Sequence, residues 1–254
     1  MILGATEFPS AELLTLILIA AIGARTAAFA LNRIIDREFD FRNPRTMHRE
    51  LPSRKMTLSE AIGVLAVGGI LYFGSAAFIS KFCLMLSPIP LVIFVIYPYM
   101  KRFTILAHFG VGFGMAMAPL GGWFAVSPSF ENLLPPILLC LFTIFWGAGF
   151  DIIYATLDEE FDKKENLYSF VSQFGKSKAL KYSAIFHLIG FIALIFLFIV
   201  SIQTLFALPF LLLTGVLLWI EHVKAVNVDL AFFKINAGLS FVVFAMIMTG
   251  VILR

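Results

Sequence analysis

Asn32, Asp36 and Asp40 follow one another at steps of four in NRIIDREFD, and Asp151, Tyr154, Asp158 and Asp162 at steps of three and four in DIIYATLDEEFD. On an α-helix such steps stack side chains on one face, with about 6 Å of rise for every four residues. Each ladder follows an apolar stretch and runs into a basic segment. A lone acidic ladder at a helix end is ordinarily just solvated. Two of them, each with a deeper polar residue, are costly at the edge of a bilayer unless they bind something. Hard carboxylate oxygens suit Mg²⁺, which usually bridges them to phosphate oxygens. The chemistry to expect is therefore charge neutralisation on a Mg²⁺-bridged diphosphate. Asp36, Asp40, Asp158 and Asp162 are the expected metal holders, with Asn32 coordinating through its amide oxygen or bonding a phosphate. Asp151 would orient ligands or take a proton, and joins Asp36 and Asp158 as a candidate catalytic carboxylate. Arg45, Arg49, Lys101 and Arg102 would clamp phosphates, arginine in bidentate fashion. Tyr154 reads equally as a substrate contact and as an interfacial anchor. Glu38, Glu159 and Glu160 lie off or beside the ladder faces and read as solvated.

The elements that must position these residues are transmembrane helices. The chain has 254 residues, 60% of them hydrophobic, 14% charged and 29 of them Phe, with a mean hydropathy of +0.95. Soluble domains are about 45–50% apolar and about 25% charged. A span needs roughly 20 apolar residues, and the pattern predicts eight, at about 11–31, 57–77, 82–99, 103–126, 134–154, 179–200, 204–221 and 232–253. The fold class expected is an all-α multi-helix membrane bundle, a single domain over 1–254. Most of the 19 Lys and Arg gather in 33–55, at 101–102 and in 163–181. Loops rich in these residues alternate with nearly uncharged ones, as the positive-inside rule requires of cytoplasmic loops. Both ladders then face the cytoplasm, with both termini opposite. A nucleic-acid footprint would not be cut apart by apolar spans, so no nucleic-acid partner is expected. Cys83 and Cys140 form no paired motif and read as thiols in the membrane interior. His48, His108, His187 and His222 show no metal spacing; His108 and His187 lie in apolar spans, to be satisfied by neighbouring helices. The acidic helix end followed by a basic loop recurs after about 120 residues, a coarse echo of two helical halves.

At these residues the sequence resembles the UbiA superfamily of intramembrane aromatic prenyltransferases. The family's Asn-Asp-x-x-Asp-x-x-x-Asp motif corresponds to Asn32-Arg33-Ile34-Ile35-Asp36-Arg37-Glu38-Phe39-Asp40. NPRTMHRELPSRKMT resembles the Arg-Thr…Arg-x-Leu-Pro stretch that follows it, through Arg45, Thr46, Arg49, Leu51 and Pro52. YPYMKRFT resembles the Tyr-Pro…Lys-Arg segment of the quinone-pathway branch, and the second ladder resembles that branch's Asp-x-x-Tyr-x-x-x-Asp-x-x-x-Asp form. The match runs from about Ala24 to Lys178. The resemblance implies Mg²⁺-dependent transfer of a polyprenyl group from its diphosphate to a small aromatic acid, 4-hydroxybenzoate or a related naphthoate, on a ubiquinone or menaquinone route, in the cytoplasmic membrane. GARTAAFALNRIIDREFD, with Arg25 as a candidate substrate contact, looks like the menaquinone branch that uses a futalosine-derived naphthoate. Two departures stand out. Arg33 occupies a position that is often Asp, so one metal contact would be absent or replaced. The family has nine spans with the first motif ending the second; here it ends the first, so MILGATEFPS resembles the tail of a missing helix and the chain is expected to be truncated at its N-terminus.

Two other classes fit less well. A CDP-alcohol phosphotransferase would need Asp-Gly and Ala-Arg at set spacing, which the chain lacks. A cation transporter would place carboxylates near the bilayer midplane, often at broken helices. Here they lie at helix ends beside Arg and Lys, which repel cations and attract phosphate.

Overall fold

The structure is a computed structural model and describes residues 1–5 and 7–253. Among them are eight helices long and apolar enough to cross a membrane, as the hydropathy pattern predicts. The first span, α1 (Ala11–Arg42), runs well past the apolar stretch and carries the first ladder inside the helix. Ser10 caps it by accepting from the Leu13 amide, which supplies one of the orphan first-turn donors with a partner. The second, α2 (Leu58–Ile79), starts at a Thr57–Glu60 capping box. The third is two pieces, α3 (Lys81–Leu86) and α4 (Pro88–Met100). Pro88 and Pro90 lack the amide hydrogens a continuous helix would use, so the axis breaks at Ser87.

Next come α5 (Ala107–Val126) and α6 (Leu134–Ala155). After two short helices, α7 (Glu159–Lys164) and α8 (Phe170–Phe174), α9 (Lys176–Leu197) continues through a π-helical turn, Phe198–Ile202. The last pair is α10 (Leu208–Val223) and α11 (Asn236–Ile252), with a second π-helical turn, Asp229–Ile235, leading into α11.

The central element is α6. Its apolar window is 56% buried, against 17% for each of the first three spans. Phe142 and Trp146 on α6 pack with Leu194 and Leu197 of α9, Leu218 of α10, and Leu239 and Met246 of α11. The early spans turn large side chains such as Ile70 and Phe78 outward, which is where lipid belongs for a bundle of this hydropathy. Close approach is bought with small residues, as is usual between membrane helices. A Cβ added at Gly112 of α5 would stand 2.2 Å from the Ile144 carbonyl oxygen of α6. Gly23 of α1 faces Gly68 of α2 in the same way, at 2.7 Å from its carbonyl oxygen.

A buried polar network ties the C-terminal helices to α6. Trp146 Nε1 donates to Asn236 Oδ1 at 2.7 Å, and Asn236 Nδ2 donates to Glu221 Oε1 at 2.9 Å. His222 Nε2 and His187 Nδ1 share a hydrogen bond at 2.9 Å, while His187 Nε2 meets the Trp146 carbonyl at 3.1 Å. His187 and His222 are thus satisfied across helices, and by each other. Cys83 and Cys140 are free and half-buried.

Candidate active site

Both ladders face one cavity of about 200 Å³. Asn32, Asp36 and Asp40 enter it from α1; Asp151 and Tyr154 from α6; Asp158 from the α6–α7 junction and Asp162 from α7; Arg45 and Arg49 from the loop after α1; Lys101 from the end of α4. On α1 the expected stacking holds, with Asn32 Nδ2 donating to Asp36 Oδ2 at 3.3 Å.

The second ladder differs from the expectation of one helical face. α6 ends at Ala155 and α7 begins at Glu159, with Asp158 between them at φ −112°, ψ 11°. The Thr156 hydroxyl donates to the Ile153 carbonyl at 2.7 Å, a local bond that competes with continuing the helix. The break swings Asp158 toward the loop after α1 instead of leaving it above Tyr154. Asn43, which ends α1, donates to Asp158 Oδ1 at 2.8 Å and accepts the Arg45 amide at 2.9 Å. Arg45 Nε donates to the same oxygen at 2.9 Å, and its NH2 nitrogen donates to Asp158 Oδ2, making a bidentate fork. Arg45 NH1 reaches the Tyr154 hydroxyl at 2.6 Å.

Every acidic side chain of the first ladder is likewise met by a cation. Lys101 Nζ donates to Asp36 Oδ2 at 2.6 Å. Arg49 NH1 lies 2.8 and 2.9 Å from the two oxygens of Asp40. Arg33, at the family's variable Asp position, comes within 3.9 Å of Asp40. Two expected phosphate or substrate contacts go elsewhere. Arg102 donates to the Ile35 carbonyl at 2.9 Å and lies over the Phe39 and Tyr99 rings, outside the cavity lining. Both residues lie in the turn that follows Met100 at the end of α4, and there Lys101 faces the cavity while Arg102 does not. Arg25 is exposed on α1, over the Phe29 ring at 4.8 Å, and the structure does not bring it to the carboxylates. Tyr154, left open as anchor or contact, lines the cavity and stacks on Phe232 with centroids 4.3 Å apart.

Sequence reasoning missed His108. It is buried on α5, its Nδ1 2.7 Å from Asp151 Oδ2 and its Nε2 accepting the Phe170 amide at 3.3 Å. It also missed Asn43 and the Tyr97, Tyr168 and Ser169 side of the wall. The polar loop residue ending α1 was the available signal for Asn43; for His108 there was none beyond a histidine in an apolar span.

The electrostatics of the loop residues follow from this crowding. Burial works against the Arg45 charge, but the Asp158 bonds outweigh it and the guanidinium holds its proton more tightly than usual. Burial, helped by the neighbouring Asp158 charge, pushes the Asp162 carboxyl up to about 6. A metal would have to displace that proton, so metal affinity should fall as pH drops through about 6, whereas an ordinary carboxylate holds out to about 4. Titrating Mg²⁺ with a prenyl diphosphate at pH 7.5 and pH 5 should show a roughly tenfold weakening from this group. That part of the pH dependence should vanish in Asp162→Asn, and a variant with the wild-type profile would remove Asp162 from the metal set.

The donor set fits a hard divalent cation. Its oxygens are carboxylate and amide, and Asp36 Oδ1 is buried without a hydrogen-bond partner, an orphan that a bound ion would satisfy. Among the described residues no three carboxylate, imidazole or thiol side chains converge enough to enclose a metal alone. Phosphate oxygens would have to supply the rest, which is how Mg²⁺ is usually held.

The comparisons with known proteins agree with this site. The UbiA prenyltransferase family model matches residues 1–231. The chain is 31% identical over 182 residues to the 4-hydroxybenzoate octaprenyltransferase of Vibrio campbellii, covering 71% of this chain and 63% of that protein. It is 27% identical over 199 residues to the enzyme of the same name from Francisella tularensis subsp. novicida, covering 78% and 68%. The chain thus spans less than two thirds of the length of the Vibrio relative it matches. The apo structure of a UbiA homolog from Aeropyrum pernix superposes with a TM-score of 0.89 at 29% identity, over 95% of this chain and 90% of that one. A UbiA homolog from Archaeoglobus fulgidus, bound to DMAPP and Mg²⁺, has the same fold at 18% identity and a TM-score of 0.75, over 97% and 89%. With two facing carboxylate sets on an all-helical membrane scaffold, and with a family model covering nearly all of it, the chain belongs to the UbiA prenyltransferase family.

Proposed function

We propose that this chain carries out Mg²⁺-dependent transfer of a polyprenyl group from a prenyl diphosphate to a small aromatic acid, 4-hydroxybenzoate or a related naphthoate, in quinone biosynthesis. The observation that carries the reading is the single cavity in which carboxylates from both ladders alternate with Arg45, Arg49 and Lys101. A diphosphate arriving there gives the cations a new anion and frees the carboxylates they now hold. The relatives named 4-hydroxybenzoate octaprenyltransferase support the acceptor class, and the Archaeoglobus homolog bound to DMAPP and Mg²⁺ supports the donor and the metal.

Asn32, Asp36, Asp40, Asp158 and Asp162 would hold Mg²⁺, which when bound neutralises diphosphate charge and makes it a better leaving group. Arg45, Arg49 and Lys101 bind and orient the phosphates. A cavity of about 200 Å³ is below the roughly 300–1,000 Å³ of ordinary ligand pockets. It suits the head group, leaving the polyprenyl tail to lie along apolar helix faces in the lipid. Phe39, Tyr97, Tyr154, Phe161 and Tyr168 line the wall and would keep water from the allylic carbon as the C–O bond breaks. Asp151, bonded to His108 and lining the same cavity as Tyr154, would take the ring proton. On this reading the ladders face the cytoplasm, and the membrane is the cytoplasmic one. A transporter reading is disfavoured by the same cations, which already occupy the carboxylates.

The test is a labelled polyprenyl diphosphate with membranes holding this chain, with and without Mg²⁺, and with 4-hydroxybenzoate, a naphthoate or no acceptor. Prenylated product that requires both Mg²⁺ and one of the acids is the expected outcome. Mg²⁺ uptake indifferent to diphosphate, with no product from either acid, would overturn it.

A further inference from the structure

His108 lies in the wall of the cavity beside Asp151, 3% exposed and bonded to it. Both of its ring nitrogens are engaged. Nε2 accepts the Phe170 amide at 3.3 Å, so Nε2 carries no proton. In the neutral ring the proton is then on Nδ1 and is donated to Asp151 Oδ2 at 2.7 Å, because a neutral imidazole has one donor and one acceptor. The tautomer is fixed by a backbone group, at the first residue of α8. Asp151 is 26% exposed in its side chain and lines the cavity. With Oδ2 taken, Oδ1 is the oxygen left to face a substrate.

We propose that His108 is the positioning residue for Asp151, holding the carboxylate by Oδ2 so that Oδ1 meets the acceptor ring. The inference rests on the prenyl-transfer reading above and deepens it. In that reaction the attacked ring carbon forms its bond to the prenyl carbon as the prenyl C–O bond breaks, and diphosphate leaves with the electron pair. The proton on the attacked carbon then passes to Asp151 Oδ1 and the ring regains aromaticity. Because His108 has no spare nitrogen, it does not relay the proton onward; it orients the base. Its contribution should therefore fall on the turnover of the bound complex and leave the binding of prenyl diphosphate alone.

The geometry makes opposite demands of two amides. An asparagine places its NH₂ near the position of Nδ1 and keeps the donor to Asp151. A glutamine extends toward the position of Nε2 and keeps the Phe170 contact only. In the full chain in membranes, His108→Leu and His108→Gln should lower kcat for the aromatic acid about 30- to 100-fold, in the range of lost orienting groups. KM for prenyl diphosphate and its Mg²⁺-dependent binding should stay within about threefold of wild type, and His108→Asn should recover kcat to within about tenfold. Thermal unfolding in detergent checks that each variant is folded, and the Asn–Gln comparison stands if the leucine variant is not. Equal loss in Asn and Gln, or a kcat loss matched by loss of prenyl diphosphate binding, would mean that His108 merely packs. An active wild type with fully active His108→Leu and His108→Gln would overturn this inference and leave the prenyl-transfer reading standing. A wild type that transfers no prenyl group would overturn both.

Discussion

Replacing Asp36 or Asp158 by alanine is expected to lower prenyl transfer by about a thousandfold or more, about 4 kcal/mol of transition-state stabilisation. The two residues come from opposite ladders, and each anchors one half of the charge arrangement. Asp36 accepts from Asn32 and from Lys101 and keeps its second oxygen, Oδ1, buried and unpartnered. Asp158 accepts Asn43 and both arms of Arg45. Its loss removes one expected metal ligand and also frees Arg45 from the position it is held in. Asp36→Asn keeps the shape and one acceptor oxygen but not the charge, and should be nearly as damaging. Stability should fall as well, because each substitution strips a cation of its carboxylate partner, Lys101 for Asp36 and Arg45 for Asp158. The check is initial rate against Mg²⁺ concentration, with thermal unfolding measured on the same preparations. Rates within tenfold of wild type, in a folded variant, would remove that residue from the metal set.

The sequence made the spans legible because lipid imposes a length and a composition on each of them. Seven of the eight windows fall within a few residues of the helices observed; the first stops at 31, while α1 runs on to Arg42. The carboxylates were legible for a similar reason, since charged residues near apolar spans are few and their spacing has meaning on a helix. The failures come where helical arithmetic stops. The steps from Tyr154 to Asp158 to Asp162 assume an unbroken helix, and Thr156 ends it. Arg102 was grouped with Lys101 by composition, yet in the turn after α4 only Lys101 faces the cavity. Arg25 was placed by resemblance, and its helix turns it outward. His108 and Asp151 are 43 residues apart, and nothing local marks them as a pair. Their meeting depends on how closely two helices approach, which hydropathy does not encode.

Gly112→Val should therefore damage both the fold and the site, and it is the steric prediction with the largest expected effect. Gly112 lies one turn beyond His108 on α5, and Gly147 one turn before Asp151 on α6. The two glycines face each other, with a Cβ on Gly147 falling 2.8 Å from the Gly112 Cα. This contact lets the helices run close enough for the 2.7 Å bond between His108 and Asp151. A Cβ at Gly112 would come within 2.2 Å of the Ile144 carbonyl oxygen and 3.0 Å of its Cα. Those are backbone atoms of the most buried span, so relief requires moving a helix and not a rotamer. Overpacking costs about 1–3 kcal/mol when side chains can give way; against backbone the loss should be about 3 kcal/mol or more. Gly121→Val on the same helix, with nothing within 4 Å of its added Cβ, is the control for the substitution itself. Thermal unfolding in detergent should separate the two variants clearly. At temperatures where Gly112→Val remains folded, its kcat should fall at least as far as that of His108→Leu, because the same bond is stretched from the other side. A Gly112 variant as stable as the Gly121 one would show that α5 and α6 do not meet at these glycines.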